Sequence, residues 1–559
     1  MGLFDALGIG SRGLQASQAA IDVTGQNISN ANTEGYSRKR VNQSADVIDD
    51  VVFGERGQGV EITDIQRIRD AFLDRQIWEQ VGDKGFTVQM DAAYTRLESI
   101  LKEPSETGLS SQMNAFWASW QDLANNPGDL SAREAVKSSA ATMIDTFHQV
   151  SKQIEQYGLS MNNPLDQEAK TVNDLTSQIY LLNEKIAGEE TRPGQNANDS
   201  RDQRDLLVRK LAQLVDVQTV EDANGRCIVT SGGNLLVGPS EALKLGTYGV
   251  SKTLSDGTQT TELHLKILST NRPFEPRSGE LKGIIDARSQ VLTTYIQDLN
   301  ALASAIVKQV NETHVTGYNL NKSSGTYFFD PDKLKAGDLE LSDAIKGSAS
   351  NIAAGEGGKI TEVAYPAGTI PAVGVPMDLK TVSPNYRNLV KDTVKITLAD
   401  GSVLAEGPGK DYVVDYENGT ISFVNNARYA PGDPVSMVFS FNTTGYGGDG
   451  NGQNALNIAS LRLKATMVKD KEGNFTQSVS GYYNSVIGKM GIEKNQNSAK
   501  KDTKEFLISQ MDSEQSSISG VSLDEEMTNM IKYENSYKAS ARFISTISQM
   551  MDVLLALGQ

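Results

Sequence analysis

Two glycine-rich segments contain residue types that could bind a phosphate. Gly8, Gly10 and Gly13 fit the G-x-G-x-x-G pattern, which cradles a pyrophosphate when it follows a strand and opens a helix. Only seven residues precede it, they continue a helical stripe, and no βαβ unit follows. The segment from Gly355 to Lys359 resembles the end of a P-loop, but it lacks the first required glycine and the hydroxyl residue after the lysine. Neither segment predicts a nucleotide site.

Histidine and cysteine are the next candidates for chemistry. The three histidines, His148, His264 and His314, lie in separate segments without a carboxylate or second histidine at metal-ligand spacing. Cys227 is the only cysteine, which excludes an internal disulfide and favours a small buried hydrophobic residue over a nucleophile. We therefore nominate no catalytic, cofactor-binding or metal-binding residue, and we expect a protein that is not an enzyme.

Charge and hydropathy limit the possible partners. The 559 residues include 53 lysines and arginines against 70 aspartates and glutamates, a formal net charge of -17. Such a polyanion repels nucleic acid and anionic lipid. No apolar run approaches the roughly 20 residues that cross a bilayer. The N-terminal residues show no cleavable secretory signal, so we expect either a cytosolic protein or export without such a signal.

The chain begins with a heptad pattern that predicts a helix from Leu3 to Ser29. Small residues, namely Gly10, Ser17 and Thr24, occupy every second step of the seam, which favours close packing against another helix. The predicted helix ends at the turn-forming residues Asn30, Asn32 and Gly35. The large apolar seam positions are Leu3, Leu7, Leu14, Ile21 and Ile28.

The chain also ends with a predicted helix. Ser522 and Glu525 form a capping-box pattern at its start, and Gly558 is a plausible C-terminal cap. Its apolar stripe includes Met527, Ile531, Tyr537, Ala541, Ile544, Ile547 and Met551. Neither terminal helix can bury its apolar stripe against itself. Either the two helices pack on each other within one monomer, or neighbouring subunits cover them.

Between the ends the chain alternates between helical and strand-like patterns. Helical stripes recur from residue 61 to 214, from 275 to 321 and from 453 to 520, and they predict a helical-bundle domain. Residues 215–274 predict a small β insertion. Residues 322–444 contain eight of the fifteen prolines and an Asn418-Gly419 hairpin signal, and they predict a larger β domain. A glycine-rich linker, 445–452, leads back to the bundle.

The predicted fold class is therefore multidomain and mainly α, with inserted β domains. Residues 1–60 and 521–559 form a terminal-helix assembly domain with its connector. The basic run from Arg38 to Arg40 allows two interpretations, a solvated loop or a contact with an acidic surface on a neighbouring subunit.

Both ends resemble the axial proteins of the bacterial flagellum, the family of rod, hook and hook-associated proteins. The resemblance rests on residues 13–20 and 27–38 at the N-terminus and on 523–527 and the residues that follow at the C-terminus. The C-terminal run is closer to hook-associated proteins than to the hook protein. The signature positions are Asn27, Asn30, Asn32, Gly35, Tyr36, Tyr537 and Ala541.

This resemblance implies terminal helices paired as a coiled coil, a helical-bundle core and outward β domains. It implies an extracellular ring of subunits that joins hook to filament, with the hook protein on one side and hook-associated protein 3 on the other. Family members are exported unfolded through the flagellar type III channel, and a chaperone holds the C-terminal helix. No cofactor, nucleic acid or membrane is implied.

We therefore predict a structural subunit that assembles by packing its terminal helices. The predicted assembly seam sets Leu3, Leu7, Leu14, Ile21 and Ile28 against Met527, Ile531, Ile544, Ile547 and Met551. The alternatives are another rod or hook protein of the same family and, from a different class, a secreted adhesin that binds a ligand through its β insertions.

Overall fold

The computed structural model describes residues 3–50, 54–192, 194–372, 374–384, 386–416, 418–424 and 428–557. Its α-helices are α1 (Leu3–Ser29), α2 (Ala71–Leu101), α3 (Leu109–Asn125), α4 (Leu130–Ser160), α5 (Asn162–Glu189), α6 (Asn198–Leu214), α7 (Glu280–Asp286), α8 (Thr293–His314), α9 (Asp343–Gly347), α10 (Gln453–Ser460), α11 (Val479–Ser519) and α12 (Leu523–Leu557). A π-helical turn, Ala287–Leu292, joins α7 to α8.

The strands form antiparallel sheets of two or three strands. They are β1 (Lys39–Asp50), β2 (Gly54–Arg67), β3 (Gln218–Glu221), β4 (Cys227–Ser231), β5 (Asn234–Val237), β6 (Leu245–Thr253), β7 (Gln259–Ile267), β8 (Arg272–Pro273), β9 (Ile360–Thr369), β10 (Met377–Asp378), β11 (Lys395–Leu398), β12 (Tyr412–Asp415), β13 (Thr420–Phe423), β14 (Pro434–Asn442), β15 (Met467–Lys469) and β16 (Phe475–Gln477).

The helical body, α2 to α8 with α10 and α11, surrounds the larger of two hydrophobic cores. The stripes predicted in α2, α5 and α8 face this core, and Leu97, Ile179 and Ile306 are fully buried. Side chains recurring every three or four residues line one face of a helix, which is why these segments fold against one another. Phe116 and Trp120 add a buried aromatic cluster.

The small β insertion does not have a hydrophobic core of its own. Val229 from β4 and Leu265 and Ile267 from β7 lie in the same core as the helices. Phe328 and Ile352, which the sequence assigns to the larger β domain, also lie in that core. The predicted β domain begins at residue 322, but residues 328–354 pack on the helical body instead. The rings of Phe328 and Phe329 lie against Phe116 of α3, which buries them there.

The second core belongs to the larger β region. It includes Ile396, Tyr412, Ile421 and Phe439 and is built by two three-stranded sheets, β11-β14-β9 and β10-β13-β12. The Asn418-Gly419 hairpin is confirmed, because β12 and β13 pair antiparallel across it and Gly419 has a φ of 65°, a left-handed conformation that favours glycine.

The terminal helices have the predicted bounds. α1 runs from Leu3 to Ser29, and α12 begins after Ser522, whose Oγ accepts a 3.5 Å hydrogen bond from the backbone N–H of Glu525. The predicted cap Gly558 lies outside the described residues. The two helices lie side by side and antiparallel, as the contacts in the next subsection show.

A long antiparallel hairpin, β1–β2, connects α1 to the helical body and was not predicted. It runs beside α1, where Arg12 donates a 3.1 Å hydrogen bond to Gln58 and forms an ion pair with Asp46. Gly59 has a φ of 107°, and a Cβ there would lie 3.3 Å from Ile9 Cα. Glycine therefore lets the strand approach the helix backbone closely.

The glycine-rich segment 445–452 leads from β14 to α10 without helix or strand. A Cβ on Gly452 would lie 2.2 Å from the carbonyl oxygen of Ala124, and the Tyr318 hydroxyl donates to the Thr444 carbonyl at 2.8 Å. The linker is thus packed directly on the helical body.

Candidate assembly interface

The two terminal helices meet through small residues. A Cβ on Gly10 would lie 2.7 Å from Ile544 Cγ1, a Cβ on Gly13 would lie 3.0 Å from Ser540 Oγ, and the Ser17 Oγ lies 3.2 Å from Ser536 Oγ. Residues with increasing numbers on α1 contact residues with decreasing numbers on α12, so the two helices are antiparallel. The small side chains let the two backbones come close together.

The predicted seam residues are only partly brought together. On α12, Ile547 is buried and Ile544 and Met551 are half-buried, whereas Met527 is 57% exposed and Ile531 is 60% exposed. On α1, all five predicted positions, Leu3, Leu7, Leu14, Ile21 and Ile28, are only half-buried. The residues that α1 buries are instead Gly10, Ala16, Ser17, Ala20, Val23, Thr24 and Asn27.

The half-buried and exposed apolar side chains share one side of the helix pair. Ile21 and Ile28 each follow a buried residue of α1 by one position, and Met527 follows the buried Glu526 on α12. One residue is a rotation of about 100° around an α-helix. Because the helices are antiparallel, side chains rotated in the same sense from the line of contact lie on the same side of the pair. We call this surface the outer apolar face; it comprises Leu14, Ile21, Ile28, Met527 and Ile531.

Asn27 is the centre of a buried polar cluster at one end of the pair, and only 1% of it is exposed. Its Nδ2 donates to the Lys39 carbonyl at 2.9 Å and to Glu526 Oε2 at 3.0 Å. Its Oδ1 accepts from the Lys39 backbone N–H at 2.9 Å and from the Tyr36 hydroxyl at 2.9 Å. All four bonds together join α1, α12 and β1.

The segment from Ser37 to Lys39 ties this cluster to the helical body. Ser37 donates from its backbone N–H and its hydroxyl to Asp202, at 2.9 and 2.8 Å. The Arg38 guanidinium lies 2.8 Å from Glu526 and 2.9 Å from Glu525. We call the cluster the polar joint; it comprises Asn27, Tyr36, Ser37, Arg38, Lys39, Arg67, Asp202, Asp205 and Glu526.

The basic run therefore contacts acidic residues of its own chain. The Lys39 Nζ lies 2.6 Å from Asp199, and Arg38 pairs with the start of α12. The solvated-loop interpretation is wrong for Arg38 and Lys39, since the Lys39 side chain is 5% exposed. Arg40 remains exposed beside Asn42.

Electrostatics stabilise the polar joint. Burial by itself raises the pKa of Asp205, but Arg67, Arg204 and Arg69 outweigh it and hold that pKa below its ordinary value. Arg67 lies 2.7 Å from Asp205 and 2.9 Å from Asp202. Burial, together with Asp199, Asp202 and Glu526, raises the pKa of Tyr36, so its hydroxyl stays protonated as a donor.

The remaining signature positions lie around this joint and along the pair. Asn30 donates to the Gln26 carbonyl at 3.0 Å, at the end of α1. Gly35 has a φ of 80° and packs against Leu206, while Asn32 is exposed. Tyr537 and Ala541 are half-buried on α12.

The residues considered for chemistry have structural partners. His314 is fully buried between the Ala353 N–H, 2.8 Å from Nε2, and the Thr326 carbonyl, 2.7 Å from Nδ1, and burial lowers its pKa to about 4. Burial raises the pKa of Cys227 to about 11. The three glycines of the G-x-G-x-x-G pattern lie inside α1.

The described residues offer neither a metal cluster nor a membrane-spanning helix. Among them, three or more histidine, cysteine or acidic side chains are nowhere grouped so as to hold a metal ion. Within the same ranges, every helix is too short or too polar to span a bilayer.

Comparison with known proteins agrees with the geometry of the ends. The family described as flagellar hook-associated protein FlgK helical domain matches residues 94–329. The C-terminal family of flagellar basal body rod proteins matches 514–557, and the flagella basal body rod protein family matches 7–36. The last two matches cover α12 and α1.

Curated relatives match along nearly the full length. Flagellar hook-associated protein 1 of Bacillus subtilis is 27% identical, over 99% of this chain and 98% of the relative. The proteins of that name from Salmonella typhimurium and Escherichia coli are 26% and 25% identical, each over 97% of this chain and 98% of the relative.

A solved structure shows the same fold. The hook junction protein FlgK from Burkholderia pseudomallei has a TM-score of 0.56 at 19% identity, with 80% of this chain and all of the other covered. The paired ends and the helical body therefore define a flagellar axial protein, of a structural rather than an enzymatic class. Within that class, the chain is similar along nearly its whole length to flagellar hook-associated protein 1.

Proposed function

We propose that this chain is a structural subunit of the bacterial flagellum that joins the hook to the filament through its terminal helices. The outer apolar face carries the proposal, because its own chain covers it incompletely: Met527 and Ile531 are 57% and 60% exposed, and Leu14, Ile21 and Ile28 are half-buried. Apolar side chains on one side of a helix pair are the usual mark of a protein interface.

The physical gain from covering this face is large. Each fully buried Leu, Ile or Met side chain contributes about 1.5–3 kcal/mol relative to exposure. Neighbouring copies would cover Leu14, Ile21, Ile28, Met527 and Ile531, while the antiparallel α1–α12 contact forms a coiled coil within each subunit. The predicted seam thus becomes a contact partly within a subunit and partly between subunits.

The polar joint gives this packing a fixed geometry. The chain passes from the helix pair to the helical body at Ser37–Lys39 and returns at Ser519, whose carbonyl accepts from the Arg38 N–H at 2.9 Å. Because both crossings are held at one place by buried hydrogen bonds and ion pairs, the body is held in one orientation relative to the helix pair.

The family implies the remaining partners and the location. We propose that copies of this chain form a ring outside the cell, between the hook protein and hook-associated protein 3. We further propose export without a cleavable signal, with a chaperone on α12. The two separate cores support a division between the helical bundle and the larger β domain.

Removing the protein from its own bacterium tests its place in the flagellum. A strain without this chain should retain hooks, seen by electron microscopy, but should lack attached filaments. Attached filaments in that strain would rule out the junction role, and missing hooks would favour a rod or hook protein instead.

A point substitution tests the mechanism. We expect Ile531→Asp to abolish motility and filament attachment while leaving the isolated protein folded, because the side chain is exposed in the monomer but would place an unpaired charge in the interface. The matched control is Leu181→Asp, which changes a residue of α5 that is 65% exposed. Equal motility of the two variants would contradict packing through this face.

A further inference from the structure

A small hairpin on the helical body presents a second exposed apolar surface. β15 and β16 pair antiparallel between α10 and α11, and Met467 anchors them with only 7% of its surface exposed. The side chains around this anchor face solvent: Leu463 is 82% exposed, Val468 47% and Phe475 48%. Phe475 pairs with Lys469 and so shares the face of Met467, whereas Val468 lies on the opposite face of this two-stranded ribbon. We call the three exposed side chains Leu463, Val468 and Phe475 the hairpin patch.

The hairpin patch differs in charge from the rest of the protein. Residues 462–475 carry four cationic side chains and two acidic ones, whereas the whole chain carries 53 and 70. The cations are Arg462, Lys464, Lys469 and Lys471. Within the described ranges these four have no ion-pair partner; Lys469 instead lies over the Phe475 ring, 5.0 Å from its centroid.

The acidic residues of this segment do not neutralise it fully. Asp470 accepts hydrogen bonds from the backbone N–H groups of Glu472 and Asn474, at 2.9 and 2.8 Å, so it stabilises its own turn. The hairpin patch is therefore an apolar surface with a cationic rim.

We propose that the hairpin patch is a lateral contact between helical bodies, occupied by an acidic surface of a second copy of this chain. A ring of identical subunits needs two different faces on each subunit, because a head-to-tail contact joins one surface to another. A cationic apolar patch on a chain of net charge -17 suits such a contact, because acidic side chains outnumber cationic ones in the rest of the chain.

This contact rests on the proposed ring, yet it lies outside the terminal helices. It would link subunits through their bodies as well as through the outer apolar face. Two independent contact regions resist relative rotation of neighbours better than a single helix contact does.

The experiment is site-specific photo-crosslinking in the full-length chain, assembled in the flagella of its own bacterium. A photo-reactive amino acid is placed at Leu463, and separately at Met527 in the outer apolar face. We expect both positions to give a product at twice the mass of the chain, identified by mass spectrometry as two copies. The matched control is Val382, which is 51% exposed on the larger β region and should give no such product.

The outcomes separate the two proposals. If Met527 gives the self-product but Leu463 gives none, or a product with another protein, the lateral contact is overturned and the proposed function stands. If Met527 gives no self-product, the assembly mechanism fails; a self-product at Leu463 would then still support the lateral contact. A self-product at Val382 as strong as at Leu463 would also overturn the lateral contact.

A charge variant adds a second readout. Replacing Lys464 and Lys469 together by Glu should remove the self-product at Leu463 and leave the one at Met527 unchanged. An unchanged self-product at Leu463 in that variant would contradict recognition by an acidic surface.

Discussion

The helical body and the terminal helix pair bury different kinds of side chain. In the body, Phe116, Trp120 and Phe147 are fully buried. In the pair, α1 buries glycine, alanine, serine, threonine, asparagine and one valine, while the buried residues of α12 are Glu526 and Ile547. The body is stabilised by a large apolar core, whereas the pair is held by close approach and by the polar joint.

This difference distinguishes the part that buries its large apolar side chains within the chain from the part that leaves several of them exposed. A core of large apolar side chains supplies the main favourable free energy of folding. The pair leaves several of its own large apolar side chains more than half exposed, including Met527 and Ile531. We therefore expect the body to fold without the pair, and the pair to gain stability when neighbours cover its outer apolar face.

The largest effect is expected from shortening a large side chain in the core of the body, compared with shortening one on the outer apolar face. Phe147→Ala should lower the free energy of unfolding of the body by about 3–5 kcal/mol, because it leaves a cavity in a packed core. Ile531→Ala, at a position 60% exposed, should change it by no more than about 0.5 kcal/mol. Urea unfolding of the isolated protein measures the free energy of unfolding of both variants. Equal decreases in the two variants would contradict the difference between the body and the pair.

Acid should unfold the body through His314. The folded pKa is about 4 against 6.5 for the free side chain, so below about pH 6.5 the unfolded chain binds a proton that the folded body does not. Stability is therefore fully present above that pH and falls by about 3 kcal/mol as the pH drops to about 4.

The measurement is the free energy of unfolding at several pH values across this window. His314→Gln should remove this part of the slope, while His148→Gln should retain it because His314 is still present. A slope that persists unchanged in His314→Gln would mean that other groups cause the acid sensitivity.

A smaller effect is expected in the pair. Asn27→Ala leaves the Tyr36 hydroxyl, the Lys39 backbone and Glu526 without a bond that they now have, at a cost of about 1–3 kcal/mol. Hydrogen exchange should accelerate in α1 and α12 but not in α4. Asn32→Ala, at an exposed position, is the control, and faster exchange throughout the body would show that the joint also stabilises the body.

The bounds of the terminal helices could be predicted from the sequence, but not the face by which they pair. The Leu3–Ser29 helix follows from its heptads and from the turn formers after it. Those heptads do not reveal whether Leu14 and Ile21 face the chain's own helix or a neighbour. The structure places the small residues of α1 between the two backbones, where close approach is possible, and turns Leu14 and Ile21 to the outer side.

The polar joint was beyond prediction because its residues are far apart in sequence. Asn27 and Tyr36 were singled out only through resemblance, and their partner Glu526 is 499 residues from Asn27. Asp202 is 165 residues from Ser37, and nothing in the pattern of α6 marks it among many carboxylates. The β1–β2 hairpin has a visible signal in the alternation of Val60 and Ile62, yet the prediction divides it between a connector, up to residue 60, and the helical bundle, from residue 61. The structure instead continues β2 to Arg67.

The separation of those residues also determines the order in which the chain can fold. Ser17 and Ser536 are 519 residues apart, so the contact between them closes almost the whole chain into a loop. Such a closure costs more entropy than any local contact, and contacts of this span form slowly. Because α1 precedes α12 by most of the chain, it must remain without its partner until α12 has been synthesised, and we expect this pair to form late in folding.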